Sequence, residues 1–148
     1  MSSPFHLAQI NVAHAKDDLD SATLSGFVNR LDEINQLADE APGFVWRLNP
    51  RNDSNYKPGY DDPRIVVNVS VWETLESLKT FVYRSTHLEL IQQKAEWFAP
   101  LDVAHMALWW VPPGTQPTEK DGIERLNFLR ENGPSQRAFL IAKPYPAA

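Results

Sequence analysis

His87, Asn11 and Asn68 are the residues whose types and positions could do chemistry in this chain. Thr86 and Glu89 have the capping-box spacing of a helix start, so His87 falls in the first turn of that helix. The partial positive charge of a helix N-terminus disfavours imidazolium. A neutral His there suits a general base or a hydrogen-bond partner. Asn11 and Asn68 lie in segments of β pattern, where an amide could stabilise negative charge growing on a substrate oxygen. Trp46, Trp72, Tyr83 and Trp97 could supply an apolar wall around them, and Ser70 and Gln9 further polar groups. Arg47, on one face of a short strand, could meet solvent, an anionic ligand or an internal carboxylate. The same polar residues could equally form a self-satisfying internal network, with His87 packing or capping and Trp72 as core.

Composition removes several other chemistries. There is no Cys in the 148 residues, which excludes disulfides, thiolate catalysis and Cys-ligated metal. Absence of Cys fits a reducing compartment, and a cytoplasmic location is the expectation. The four His are His6, His14, His87 and His105, and no pair has the i, i+4 spacing of a helical metal site, so no metal is expected. No Gly-rich phosphate loop and no Gly-x-Ser-x-Gly elbow occurs. The net charge is −5 with no Lys/Arg run, which argues against nucleic acid. No apolar run approaches membrane-spanning length, and MSSPFHLAQINVA lacks the basic and apolar regions of a signal peptide.

The elements that must position these residues follow from periodicity. Residues 64–72 alternate, with Ile65, Val67, Val69 and Val71 on one face and Val66, Asn68, Ser70 and Trp72 on the other. Residues 5–13 form a strand with Leu7, Gln9 and Asn11 opposite Ala8, Ile10 and Val12. Residues 44–49 form another, in which alternation groups Phe44, Trp46 and Leu48 against Val45, Arg47 and Asn49. A fourth strand spans 105–111, with Trp109 and Trp110 on opposite faces, and 138–143 reads as a short last strand.

Helices fill the gaps. One runs from a cap at Asp20 or Ser21 to about Glu40, with Leu24, Phe27, Val28, Leu31, Ile34 and Ala38 as its apolar stripe and Pro42-Gly43 as its stop. Thr74 caps the next, whose apolar face is Leu75, Leu78, Phe81 and Val82. The helix after Thr86 carries Leu88, Ile91, Ala95 and Phe98. A last helix opens at Thr118 and Asp121, faces inward through Ile123, Leu126 and Leu129, and stops at Asn132-Gly133-Pro134. The irregular stretch 50–63 is long enough to be a functional lid or disordered.

The order β-α-β-β-α-(α)-β-α-β opens with the split β-α-β arrangement of ferredoxin-like folds. We therefore expect one α+β domain over residues 1–148, with a four-stranded antiparallel sheet and helices on one face. Val, Ile and Trp occupy both sheet faces, and pairing two sheets across a two-fold axis would cover the second face. A homodimer is the expected partner state.

Several of these stretches resemble a known superfamily. NVSVWETLESLKTFVYRSTH is similar to the dimeric α/β-barrel superfamily, which includes the antibiotic-biosynthesis monooxygenases, in its Val71-Trp72-Glu73, its Leu-rich helix and its Ser85-Thr86-His87. More narrowly, HLAQINVA, PGFVWRL and LWWVPPGTQPT resemble a family within it known only as a domain of unknown function. The resemblance spans nearly the whole chain and implies the fold of the dimeric α/β barrel. It implies no single activity, since the superfamily includes monooxygenases, haem degraders, peroxidases and lyases. Its cofactor-independent monooxygenases use an Asn, a Trp and an Arg; Asn11 and Trp72 stand in similar places, and Arg47 is of the right type. Its haem degraders use an Asn, a Trp and a His; Asn11 matches the first, while about Phe81 and Ile91 occupy the other two positions.

Three readings follow. The first is a small dimeric enzyme that oxygenates an apolar aromatic or conjugated molecule without a cofactor, with His87 as base and Asn11 or Asn68 stabilising an enolate-like anion. The second is a non-catalytic ligand-binding or structural homodimer. The third is a haem-binding protein.

Overall fold

A computed structural model describes residues 5–18, 21–48, 64–84, 98–99 and 105–146. Its elements are β1 (His6–Ala15), α1 (Ser25–Glu40), β2 (Phe44–Arg47), β3 (Ile65–Trp72), α2 (Leu75–Arg84), β4 (Phe98–Ala99), β5 (Met106–Val111) and α3 (Glu119–Asn132). The irregular stretch 50–63 and most of the helix expected after Thr86 lie outside the described residues.

All strand pairs are antiparallel, and β1 is the central strand. On one side it pairs with β3, which pairs with β2; on the other it pairs with β5 along its first half and with β4 at its end. The order β2-β3-β1-β5 is that of a ferredoxin-like α+β unit.

Register assigns every side chain to a face. The first face carries Ala8, Ile10 and Val12 of β1, Val69 and Val71 of β3, and Ala107, Trp109 and Val111 of β5, gathered into one core cluster with Leu126 and Leu129 of α3. The second face carries three cross-strand rows: Trp110, Leu7, Trp72, Phe44; then Leu108, Gln9, Ser70, Arg47; then Met106, Asn11, Asn68. Both ferredoxin-like helices pack on this second face. Leu78 of α2 is buried with Leu7 and Trp72, and Leu75, Phe81 and Val82 pack around them. At the start of α1 the N-cap residue Leu24 is buried, and Phe27 of the helix meets Phe98 edge-on at 4.9 Å beside Ala13 and Val66.

Local signals explain the element ends. The Thr74 hydroxyl accepts from Ser77 N at 3.0 Å and caps α2. Thr118 and Asp121 form a complete capping box on α3, each side chain accepting from the other's backbone N–H at 3.1 Å. Gly133 ends α3, its N–H donating to Leu129 O at 2.8 Å. No side chain caps α1 itself; Ser21 instead accepts from Leu24 N, within the turn that leads into the helix.

Three expectations change. A bulge between Phe44 and Trp46 breaks the alternation of β2 and puts Trp46 opposite Val71, on the first face. Phe98 lies in β4 rather than on a helical stripe, paired with Ala15. The strand expected at 138–143 is reduced to isolated bridges, Leu108–Phe139 and Leu140–Lys143. The second of these folds the segment back on itself, so only Phe139 extends the sheet.

Two glycines are required by packing. Gly122, inside α3, lies where an added Cβ would come 2.7 Å from Ile10 Cδ1 and 3.0 Å from its Cβ. The missing side chain lets α3 sit directly on the central strand. Gly43 has φ +82° between α1 and β2, and a Cβ there would overlap the Ser77 side chain of α2. Gly114 has φ +91° with nothing within 4 Å of an added Cβ. Gly43→Ala should therefore lower the unfolding free energy by about 1–3 kcal/mol, and by more than Gly114→Ala, in parallel urea titrations. Equal losses would show that the Ser77 contact does not constrain the turn.

Candidate functional site

The central feature of the helix-covered face is a chain of hydrogen-bonded side chains across β1 and β3. Gln9 Nε2 donates to Asn68 Oδ1 at 2.8 Å and to Ser70 Oγ at 2.7 Å. Asn11 Nδ2 donates to Gln9 Oε1 at 3.0 Å and lies 3.5 Å from Asn68 Oδ1. Trp72 Nε1 donates to Ser70 Oγ at 2.9 Å. The chain grades from dry to wet: Trp72 is 1% exposed, Gln9 2% and Ser70 5%, whereas Asn11 is half-buried and Asn68 exposed. Both Gln9 amide hydrogens and its oxygen are used, so Gln9 is fully committed. The bonds leave Asn68 Nδ2 and Asn11 Oδ1, at the open end, as one donor and one acceptor without partners among the described residues.

Arg47 stands in the same row as Ser70 and Gln9. Its Nε donates to Asp39 Oδ1 at 2.9 Å and its Nη2 to Asp39 Oδ2 at 3.3 Å. This forked pair ties β2 to α1 and commits the cation to an exposed carboxylate of α1. Trp72 forms the apolar floor, with Phe44 edge-on at 5.4 Å and Phe81 tilted at 5.3 Å.

The expected site residues are therefore divided. Asn11, Asn68, Ser70, Arg47 and Trp72 share one face. Trp46 is on the other, packed with the cluster that includes Val71 and Leu126. Tyr83 falls within α2, but its side chain lies outside the described residues, as do His87 and Trp97 entirely. Gln9, the buried hub, carries the network; its place between Leu7 and Asn11 on a polar-apolar strand face was the available signal. Asp39 had no visible link to Arg47, because a turn separates them. Among the described residues no group of three His, Cys, Asp or Glu could hold a metal, and no helix is long and apolar enough to cross a membrane.

This arrangement defines a ferredoxin-like α+β domain with an amide cluster between its sheet and its two helices. The chain belongs to the family described as Domain of unknown function (DUF3291), whose profile matches residues 6–148. Among solved structures it is similar to a protein of unknown function from Nitrosomonas europaea, with 12% identity, a TM-score of 0.51, and coverage of 77% of this chain and 94% of that one. At that identity the likeness shows the fold alone. A protein from Chloroflexus aurantiacus J-10-fl, described as a "putative Antibiotic biosynthesis monooxygenase", matches at 17% identity and a TM-score of 0.46, over 76% of this chain and 96% of that one. No curated protein matches the chain.

Ser70 is the acceptor for two buried donors, so Ser70→Ala should destabilise the fold by about 1–3 kcal/mol, the cost of stranding buried polar groups. Asn68→Ala, at the wet end where water can replace the amide, should cost less than about 0.5 kcal/mol. Chemical denaturation of the two variants checks this, and equal costs would mean that the chain of bonds is not an integrated unit.

Proposed function

We propose that this domain binds a planar, conjugated small molecule at the open end of the amide chain and oxygenates it without a cofactor. The supporting observation is the uncommitted pair at that end: Asn68 Nδ2 can donate to a substrate oxygen and Asn11 Oδ1 can accept from a substrate hydroxyl, both amides being oriented by the buried Gln9. Such preoriented amides stabilise an enolate or phenolate as charge develops on it. The substrate anion would pass an electron to dioxygen, the resulting radical and superoxide would combine at carbon and take back the proton to give a hydroperoxide, and that hydroperoxide would lose water to leave a quinone-type product. His87 is assigned as the base that takes the substrate proton. Trp72, buried at the dry end of the chain, is assigned to the core, where its indole N–H holds Ser70, and not to contact with the ligand. Arg47 is assigned to holding β2 and α1 together, because Asp39 occupies its fork.

We also propose that the domain works as a homodimer. Trp46, Leu48, Ile65 and Val67 lie only partly buried on the β2–β3 half of the first face, an apolar surface that a second copy would cover. Light scattering at micromolar concentration should then give twice the 16.8 kDa chain mass.

The enzymatic reading is checked by oxygen uptake with anthrone and related polycyclic phenols. Uptake above the uncatalysed rate is expected, about tenfold lower in Asn68→Ala with an unchanged melt, and abolished in His87→Ala. Saturable binding of the same phenols without uptake would replace the enzyme by a non-catalytic ligand-binding protein. Neither binding nor uptake would reduce the amide chain to a structural network.

A further inference from the structure

A second site lies on the opposite face of the sheet, where α3 crosses the end of β5. A cleft of about 340 Å³ opens there, lined by Trp109, Pro112, Pro117, Arg125 and Arg137, with Asp121 and Glu124 at its side. That volume suits a compact ligand of one or two rings. Trp109 and Pro117 are buried and form its apolar base.

Two guanidinium groups stand at this cleft. Arg125 lies 5.8 Å from the centroid of the Trp109 ring, and one of its N–H groups donates to Arg137 O at 2.9 Å. Arg137 lies 4.8 Å from the centroid of Phe128. Each cation is thus held by an aromatic face. Among the described residues neither has a carboxylate within ion-pair distance. Asp121 accepts from Thr118 N in the helix cap, and Glu124 is exposed. Burial first, and then the charge of Arg137, hold Arg125 below its ordinary value, while Asp121 and Glu124 pull it back. An Arg remains protonated under such a shift. The two like charges are therefore kept beside each other with most of their donors unused.

We propose that this Arg125–Arg137 cleft is a binding site for a small aromatic carboxylate. The carboxylate would take the free N–H groups of the two guanidiniums, whose planar donor forks match its two oxygens. The ring would lie against exposed Pro112, beside the edges of buried Trp109 and Pro117 that line the cleft. An occupant of this kind removes the repulsion between the cations and covers the exposed Pro112 ring together, which neither inorganic phosphate nor a neutral aromatic does. The site faces away from the amide chain and stands independently of the activity proposed there.

The test is a titration of the full chain, ¹⁵N-labelled at Trp, with 1-naphthoate and with the neutral 1-naphthamide. The indole signal of Trp109, assigned through Trp109→Phe, should shift saturably with naphthoate. Affinity should fall about tenfold for naphthamide, and about tenfold for naphthoate in Arg137→Gln and Arg125→Met. Arg137 is exposed, so its substitution leaves the fold intact, and Met at 125 keeps apolar cover over Trp109. Loss of the preference for carboxylate over amide in either variant supports the site. Equal binding of acid and amide, wild-type affinity in both variants, or no saturable shift of Trp109 overturns it.

Discussion

Gln9 is almost wholly removed from water, and its amide has to be satisfied inside the sheet. A buried primary amide left without partners costs several kcal/mol by transfer estimates, about 1–3 kcal/mol by mutation. Here every hydrogen and the oxygen are taken, by Asn68, Ser70 and Asn11. This requirement also locks strand register. Gln9 faces Ser70 only if Ile10 faces Val69 and Leu7 faces Trp72. A slip of one residue would carry Gln9 onto the apolar face and Ile10 into the polar row. The bonds that make the amide chain a candidate ligand site are thus the same ones that fix the pairing of the two longest strands.

The two sheet faces solve different problems around that pairing. On the polar face, α1 and α2 pack on either side of a row that contains Gln9, Ser70 and Arg47, and the contact of α1 with the sheet includes a directional bond from Arg47 to Asp39. The Arg47–Asp39 fork does for α1 what the Thr74 cap does for α2, setting where each helix begins or rests. On the apolar face, α3 lies directly against β1. Its closeness comes from Gly122 above Ile10, where loss of a side chain brings backbone onto strand at a helix-propensity cost of about 1 kcal/mol. Dry packing of Leu126 and Leu129 against Val12, Val69 and Trp109 supplies what holds it.

Much of this was legible from residue patterns. Alternation in β1 and β3 assigned Gln9, Asn11, Asn68, Ser70 and Trp72 to shared faces, because regular antiparallel pairing keeps a period of two. The capping pairs at Thr74 and Thr118 were visible because they are local. What was not legible depends on events that leave no local trace. The bulge at Val45 moved Trp46 across the sheet, and nothing in Phe-Val-Trp-Arg marks it. Phe98 fits a helical stripe by spacing, yet an edge-on contact with Phe27, far away in the chain, is made from a strand. Alternation also could not say which face the helices cover. That choice was settled by where Leu24, Leu75 and Leu78 find apolar partners, a property of the assembled chain.

The sheet has two edges, and the chain treats them differently. At β5, Phe139 exchanges two 2.9 Å backbone bonds with Leu108, and the following segment stays over the same strand. Trp110 Nε1 donates to Tyr145 O at 2.7 Å, and the Tyr145 hydroxyl donates to Pro134 O at 3.2 Å. Tyr145 and Trp110 both lie against the Phe139 ring, at 6.1 and 6.3 Å. Residues 139–145 thus cover part of this edge. At β2 the edge strand has four residues and a bulge that leaves Val45 exposed. A short, kinked edge is a poor template for another strand. Among the described residues, extension of the sheet by a further strand is therefore disfavoured at both edges.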